Sequence, residues 1–153
     1  MKKTGFLPAV LIIEDDADHR KIIQSMLEQS HPTLQLVFAS SDGEALSLLE
    51  HWRSAGTFPQ LILLDLYLPE RETGFQLLQT FKTLPLPVKS VPVVVLSHSN
   101  DAQEIWRAYH LGANSFLVKP LQFHDWQQNL QLLVEYWLQT VAVVDPSQSF
   151  EGW

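Results

Sequence analysis

Short apolar runs alternate five times with amphipathic segments along the 153 residues, and no other feature narrows the possible folds so far. Runs of that length read as strands, and a helical segment after each makes the next connection a crossover between parallel strands. The runs are Ala9 to Ile13, Leu34 to Ala39, Leu61 to Leu64, Val91 to Leu96 and Ser115 to Val118. Most are apolar throughout, as strands covered on both faces should be. The expected fold is therefore an α/β domain with a five-stranded parallel sheet and helices on both faces.

The intervening segments carry helix signals. Asp16 is placed to cap a first helix, near Asp16 to Gln29, that buries Ile22, Ile23, Met26 and Leu27. Ser41 with Glu44, and Thr73 with Gln76, have capping-box spacing. Asn100 is placed to cap the helix bearing Ile105 and Ala108, and Gly112 to close it. A last helix, from about Leu121 to Thr140, spans roughly 30 Å and exceeds a sheet about 15 to 20 Å deep, so it is expected to overhang.

Composition excludes several functions. Ten Lys plus Arg against 17 Asp plus Glu give a net charge of -7, which repels a phosphate backbone and argues against nucleic-acid binding. Without cysteine there is no disulfide, zinc-thiolate site or thiol nucleophile. The apolar stretch near the start is broken by Pro8 and runs into Glu14-Asp15-Asp16, so neither a signal peptide nor a membrane span is expected. The expected location is cytoplasmic.

Ligands of open parallel sheets bind at the carboxyl ends of the strands. Here the first strand runs into Glu14-Asp15-Asp16, the third into Asp65, the fourth into Ser97 and the fifth into Lys119-Pro120. Glu14, Asp15 and Asp65 side by side repel one another unless a cation lies among them. Mg²⁺ suits a site of few carboxylates, water and phosphate oxygens. An aspartate can act as nucleophile to form an acyl phosphate, with Lys119 and Ser97 meeting the oxygens of the transferred group. Each residue alone has a plainer reading: a helix N-terminus, a strand-end aspartate, a loop hydroxyl, a surface lysine. Their coincidence at successive strand ends favours a site.

The stretches VLIIEDDADHR (10–20), LILLDLYLP (61–69), VPVVVLSHSND (91–101) and GANSFLVKP (112–120) resemble the receiver domains of two-component response regulators. The resemblance implies a flavodoxin-like strand order 2-1-3-4-5, with a receiver domain over 5–141 and a tail over 142–153. It implies Asp65 as phosphoacceptor, Glu14 and Asp15 as the acidic metal pair, and the Tyr67 backbone carbonyl as a further Mg²⁺ ligand. It also implies Ser97 as switch hydroxyl, Phe116 as switch aromatic, and Lys119, joined to Pro120 by a cis peptide, as the phosphoryl contact. The tail LVEYWLQTVAVVDP further resembles small stand-alone receivers paired with cyanobacterial phytochrome kinases. The implied partner is a histidine kinase, of phytochrome type in the narrower resemblance, and the implied receiver switches conformation to signal through protein contacts.

The chain departs from the family pattern at His98, where a small residue is common, and in the Pro69–Gly74 loop, one residue longer than usual. Tyr67 is bulky enough to screen an acyl phosphate from water. A dehalogenase-type phosphatase would need an aspartate where Tyr67 stands, and a flavodoxin-type carrier would need a phosphate loop where Glu14 to Asp18 stand. A phosphorylation-independent binding module is the remaining alternative. Trp126, Tyr136 and Trp137 on the last helix, followed by Val141 to Val144, suggest a homodimer surface, against which stands a tail folded over its own core.

Overall fold

The computed structural model describes residues 9–140. The expected tail over 142–153, the apolar Val141 to Val144 and the start of the domain at residue 5 lie outside them. Five parallel strands, β1 (Ala9–Ile13), β2 (Gln35–Ala39), β3 (Leu61–Asp65), β4 (Val93–Ser97) and β5 (Ser115–Val118), form one sheet. Their order is β2-β1-β3-β4-β5, as expected. The crossovers are α1 (Ala17–Ser30), α2 (Asp42–Ala55), α3 (Arg71–Thr83) and α4 (Ala102–His110), and α5 (Phe123–Glu135) follows β5.

The continuous apolar strands have a direct consequence in packing. Successive side chains leave opposite faces of the sheet, so each central strand supplies two cores. Leu11, Ile13, Ile62, Leu64, Val93 and Val95 meet residues such as Leu49, Phe75, Phe81 and Ala108. Val10, Ile12, Leu61, Leu63, Val94 and Leu96 meet Ile23, Met26, Leu27, Leu130 and Val134. The central strands β1, β3 and β4 are buried along their length, whereas β2 and β5 at the edges are only partly covered.

The four helix starts signalled in the sequence form to different degrees. Asp16 accepts from the Asp18 and His19 N–H groups at 2.8 and 3.1 Å and caps α1 as expected. Ser41 caps α2 through the Glu44 N–H at 3.1 Å, while the Glu44 carboxylate reaches back to the Ser40 N–H at 2.9 Å. The Thr73–Gln76 box does not form. Helix α3 begins at Arg71 without a side-chain cap, because close packing sets its position: a Cβ on Gly74 would lie 1.8 Å from the Leu66 carbonyl oxygen. Asp101 replaces Asn100 as the cap of α4, accepting from the Gln103 N–H at 3.0 Å. Gly112 follows α4 with φ 107°, a left-handed conformation suited to glycine.

The last helix starts two residues later than expected and passes from α5 into a π-helical turn over Tyr136–Thr140, making 18 residues in all. Its last turn still packs on the domain. Trp126, Leu133, Trp137 and Leu138 all pack against the core on the α1 side of the sheet. Among the described residues no helix is long and apolar enough to cross a membrane.

Candidate functional site

The carboxyl edge of the sheet holds Asp65 and Ser97 as the last residues of β3 and β4, with Glu14 and Lys119 one residue beyond β1 and β5. Backbone bonds extend the ladder past the strands and fix these side chains. Glu14 N–H donates to the Ala39 carbonyl at 2.9 Å, Leu66 N–H to Leu96 at 3.0 Å, and Lys119 N–H to Ser97 at 2.7 Å. Arg20 holds the Glu14 carbonyl at 2.8 Å through Nη1. The result is an open cleft of about 530 Å³ lined by Glu14, Asp15, His19, Asp65, Tyr67 and His98, among others.

Charge is packed here with little water. Glu14, Asp65 and Lys119 are only 2%, 7% and 6% exposed. Lys119 Nζ donates to Asp65 Oδ2 at 2.8 Å and lies 3.7 Å from Glu14 Oε2. Tyr67 N–H donates to Asp65 Oδ1 at 3.1 Å. Burial pushes the Glu14 carboxyl far above the usual carboxylate range, and its contact with Asp65 pushes it further. Burial also works to raise Asp65, but the hydrogen bond with Glu14 and the Lys119 charge outweigh it and hold Asp65 low. The balance therefore favours Asp65 as the anion of the pair. Glu14 Oε2 is buried without a hydrogen-bond donor, and only a proton shared with Asp65 or a bound cation satisfies it.

That orphaned oxygen and the oxygen-rich cleft fit a divalent cation. Among the described residues, one ligand atom each from Glu14, His19 and Asp65 lie within 4.8 Å of one another. Asp15 lines the same cleft but stands exposed at its rim, outside this close group. Ser97 is fully buried, and its Oγ accepts from the Ser99 N–H at 3.1 Å. Phe116 is half-buried against the core, and its N–H donates to the Tyr109 hydroxyl at 3.1 Å. Partial burial and the nearby Lys119 charge lower the His98 pKa, favouring the neutral ring.

One expectation is corrected. The cis peptide bonds among the described residues are Leu68–Pro69 and Leu86–Pro87; the Lys119–Pro120 bond is not cis. Trans is the ordinary preference of such a bond, and from it Lys119 already reaches both Asp65 and Ser97. Of the dimer candidates, Trp126 and Trp137 pack partly into their own core and Tyr136 remains exposed.

Two groups of site residues were not foreseen. His19 stands three residues past the cap of α1, where the first helical turn faces back to the strand end, and its Nδ1 lies 3.0 Å from Glu14 Oε1. Glu104, buried on α4, accepts from the Tyr67 hydroxyl at 2.7 Å and from Arg71 at 2.9 Å, bracing the loop after β3 against that helix. The Tyr67 ring is thus held at the cleft by its own hydroxyl. The helical spacing of His19 from Asp16 was available in the sequence; no local signal joined Glu104 to a loop more than thirty residues away.

A strand-end aspartate paired with a lysine, on a 2-1-3-4-5 sheet, defines a receiver class of fold and site. The family of response regulator receiver domains matches residues 10–131, and the chain belongs to it. It is 32% identical over 130 residues to the probable methanogenesis regulatory protein FilR2 of Methanothrix harundinacea, covering 84% of this chain and 83% of that one. It is 29% identical to response regulator Rcp1 of Synechocystis, covering 88% and 91% of the two chains, and is homologous to it. Among solved structures, the phosphorylated cyanobacterial phytochrome response regulator RcpA superposes with a TM-score of 0.82 at 29% identity, covering 92% of this chain and 100% of that one. The Mn²⁺-bound form of Rcp1 gives 0.78 at 28% identity, covering 90% and 99%. Receiver domains bind a divalent cation and imply a cognate histidine kinase.

Proposed function

We propose that this receiver takes a phosphoryl group onto Asp65 from the phosphohistidine of a histidine kinase, and that the change at Asp65 switches the surface offered to protein partners. The observation that carries the reading is the buried Asp65, held ionised beside Lys119 at 2.8 Å in an open cleft. In the transfer, an Asp65 carboxylate oxygen forms the new bond to phosphorus while the phosphorus–nitrogen bond breaks, and the imidazole leaves with its electron pair. Glu14, Asp15, Asp65 and the Tyr67 carbonyl are the residues that would hold Mg²⁺. When bound, the cation supplies charge stabilisation for the transferred group. Lys119 releases part of its hold on the carboxylate and meets the new phosphoryl oxygens, and Ser97 turns its hydroxyl from the Ser99 N–H towards them.

The inward turn of Ser97 frees space towards which Phe116 repacks, and Tyr109, bonded to the Phe116 N–H, carries that change to α4. The phosphoryl contacts exist in only one of the two packings, so they shift the population towards it. Likeness to RcpA, a phytochrome response regulator by name, supports a phytochrome-type kinase as the donor. The proposed location is cytoplasmic, and the exposed Tyr136 is the described residue best placed for the proposed homodimer surface. The domain in this reading spans 5–141, with 142–153 as a tail. Asp65→Asn abolishes labelling by acetyl phosphate or the cognate kinase in the presence of Mg²⁺; labelling at the wild-type level would refute the assignment.

A further inference from the structure

We propose that His19 is a nitrogen donor of the cation centre, and that it moves the site's preference from Mg²⁺ towards first-row transition dications. The inference rests on the reading of the Asp65 cleft as a cation site and adds a ligand to it. Donors bound to one ion at about 2.0 to 2.3 Å lie at most about 4.6 Å apart, and Glu14, His19 and Asp65 each place one donor within 4.8 Å of the others. The group is therefore close to ligating dimensions.

Its members are held there for separate reasons. Glu14 and Asp65 are fixed by the sheet. The His19 backbone is fixed by the Asp16 cap at 3.1 Å, and its ring stands on the cleft wall with 42% of the side chain exposed, open to an arriving ion. Glu14 Oε2 supplies a second sign: its residue is 2% exposed, the atom accepts no hydrogen bond and Lys119 Nζ is 3.7 Å away, so a cation there would take the place of a proton shared with Asp65.

The chemistry of the donor set decides which ion gains. Mg²⁺ prefers oxygen and sheds water reluctantly, so an imidazole adds little to its binding. First-row transition dications take imidazole more readily than Mg²⁺ does, Ni²⁺ and Cu²⁺ the most and Mn²⁺ the least. His98 is the other imidazole in the cleft, with its ring centroid 6.0 Å from that of His19. It lies outside the close group of donors.

The test uses the untagged 153-residue chain. Mn²⁺ and Mg²⁺ are titrated calorimetrically into wild type, His19→Ala and His98→Ala, and the Mn²⁺-loaded proteins are examined by electron spin echo envelope modulation. Wild type and His98→Ala show modulation from a directly bound nitrogen, and His19→Ala does not. The ratio of Mn²⁺ to Mg²⁺ affinity falls about threefold in His19→Ala, a small change because Mn²⁺ gains least from nitrogen among the transition dications. Mn²⁺ bound by wild type without that modulation, modulation that survives in His19→Ala, or an unchanged affinity ratio overturns the role of His19 alone. Failure of wild type to take up either ion overturns the cation site itself.

Discussion

Two lysines, Lys119 buried and Lys82 partly buried, stand at opposite ends of the sheet and meet opposite surroundings. Lys119, beyond the carboxyl end of β5, faces carboxylates: Asp65 at 2.8 Å and Glu14 at 3.7 Å. Lys82, near the end of α3, faces neutral dipoles at the amino ends of β4 and β5, donating to the Val91 carbonyl at 2.9 Å and to Asn114 Oδ1 at 2.8 Å. Burial, uncompensated by an anion, lowers the Lys82 ammonium to about 8. The difference separates two uses of a cation shielded from water. One is held by charges that an incoming anion can replace, and the other ties loops together and has no anion to exchange.

The sharpest way to break the comparison is to remove each charge in turn. Lys119→Met is expected to lower the initial rate of labelling by acetyl phosphate about 100-fold, the usual loss when a group facing transition-state charge is deleted. Lys82→Met is expected to leave that rate within about twofold, since its side chain lines no part of the Asp65 cleft. Comparable losses in both variants would mean that the assay reads folding and not the site.

A second experiment sharpens the structural side. Asn114 Oδ1 accepts from the Val93 N–H at 2.9 Å as well as from Lys82, and Val93 is fully buried. Asn114→Ala leaves a buried backbone donor without its partner and should lower stability by about 2 kcal/mol. The midpoint of urea unfolding reads this change. An unchanged midpoint would show that the tie at the amino end contributes nothing to the fold.

The two ends also differ in how far the sequence revealed them. Asp65, Ser97 and Lys119 follow or end apolar runs that could only be neighbouring strands, so strand order alone brings them to one edge. Glu14 joined them for the same reason. His19 was hidden because a histidine at the start of a helix carries no sign of which way its ring faces. The Tyr67–Glu104–Arg71 brace and the tie of Lys82 to Asn114 join residues far apart in the chain. Such pairings depend on how helices settle on the sheet, which periodicity does not specify. The start of α3 was misplaced for a related reason: the closeness of Gly74 to Leu66 overrode a good local capping pattern.

The smallest expected effect follows from the protonation of Lys82. Its ammonium is lowered from 10.5 to about 8 in the folded chain. Below pH 8 folded and unfolded chains both hold the proton, and the full penalty for burying the charge is present. Between about 8 and 10.5 the folded chain releases the proton while the unfolded chain keeps it, so stability rises with pH across this window. Water still reaches part of the side chain, which limits the gain to about 1 kcal/mol. Tyrosines and other groups titrate over the same range in wild type and Lys82→Met alike, so the informative quantity is the difference between their urea midpoints as pH is raised. Wild type should gain on Lys82→Met from pH 8 to 10.5 and hold a constant difference below it. A difference that stays flat throughout would place the Lys82 charge in water, and one that moves the other way would require an anion beside it, erasing the contrast with Lys119.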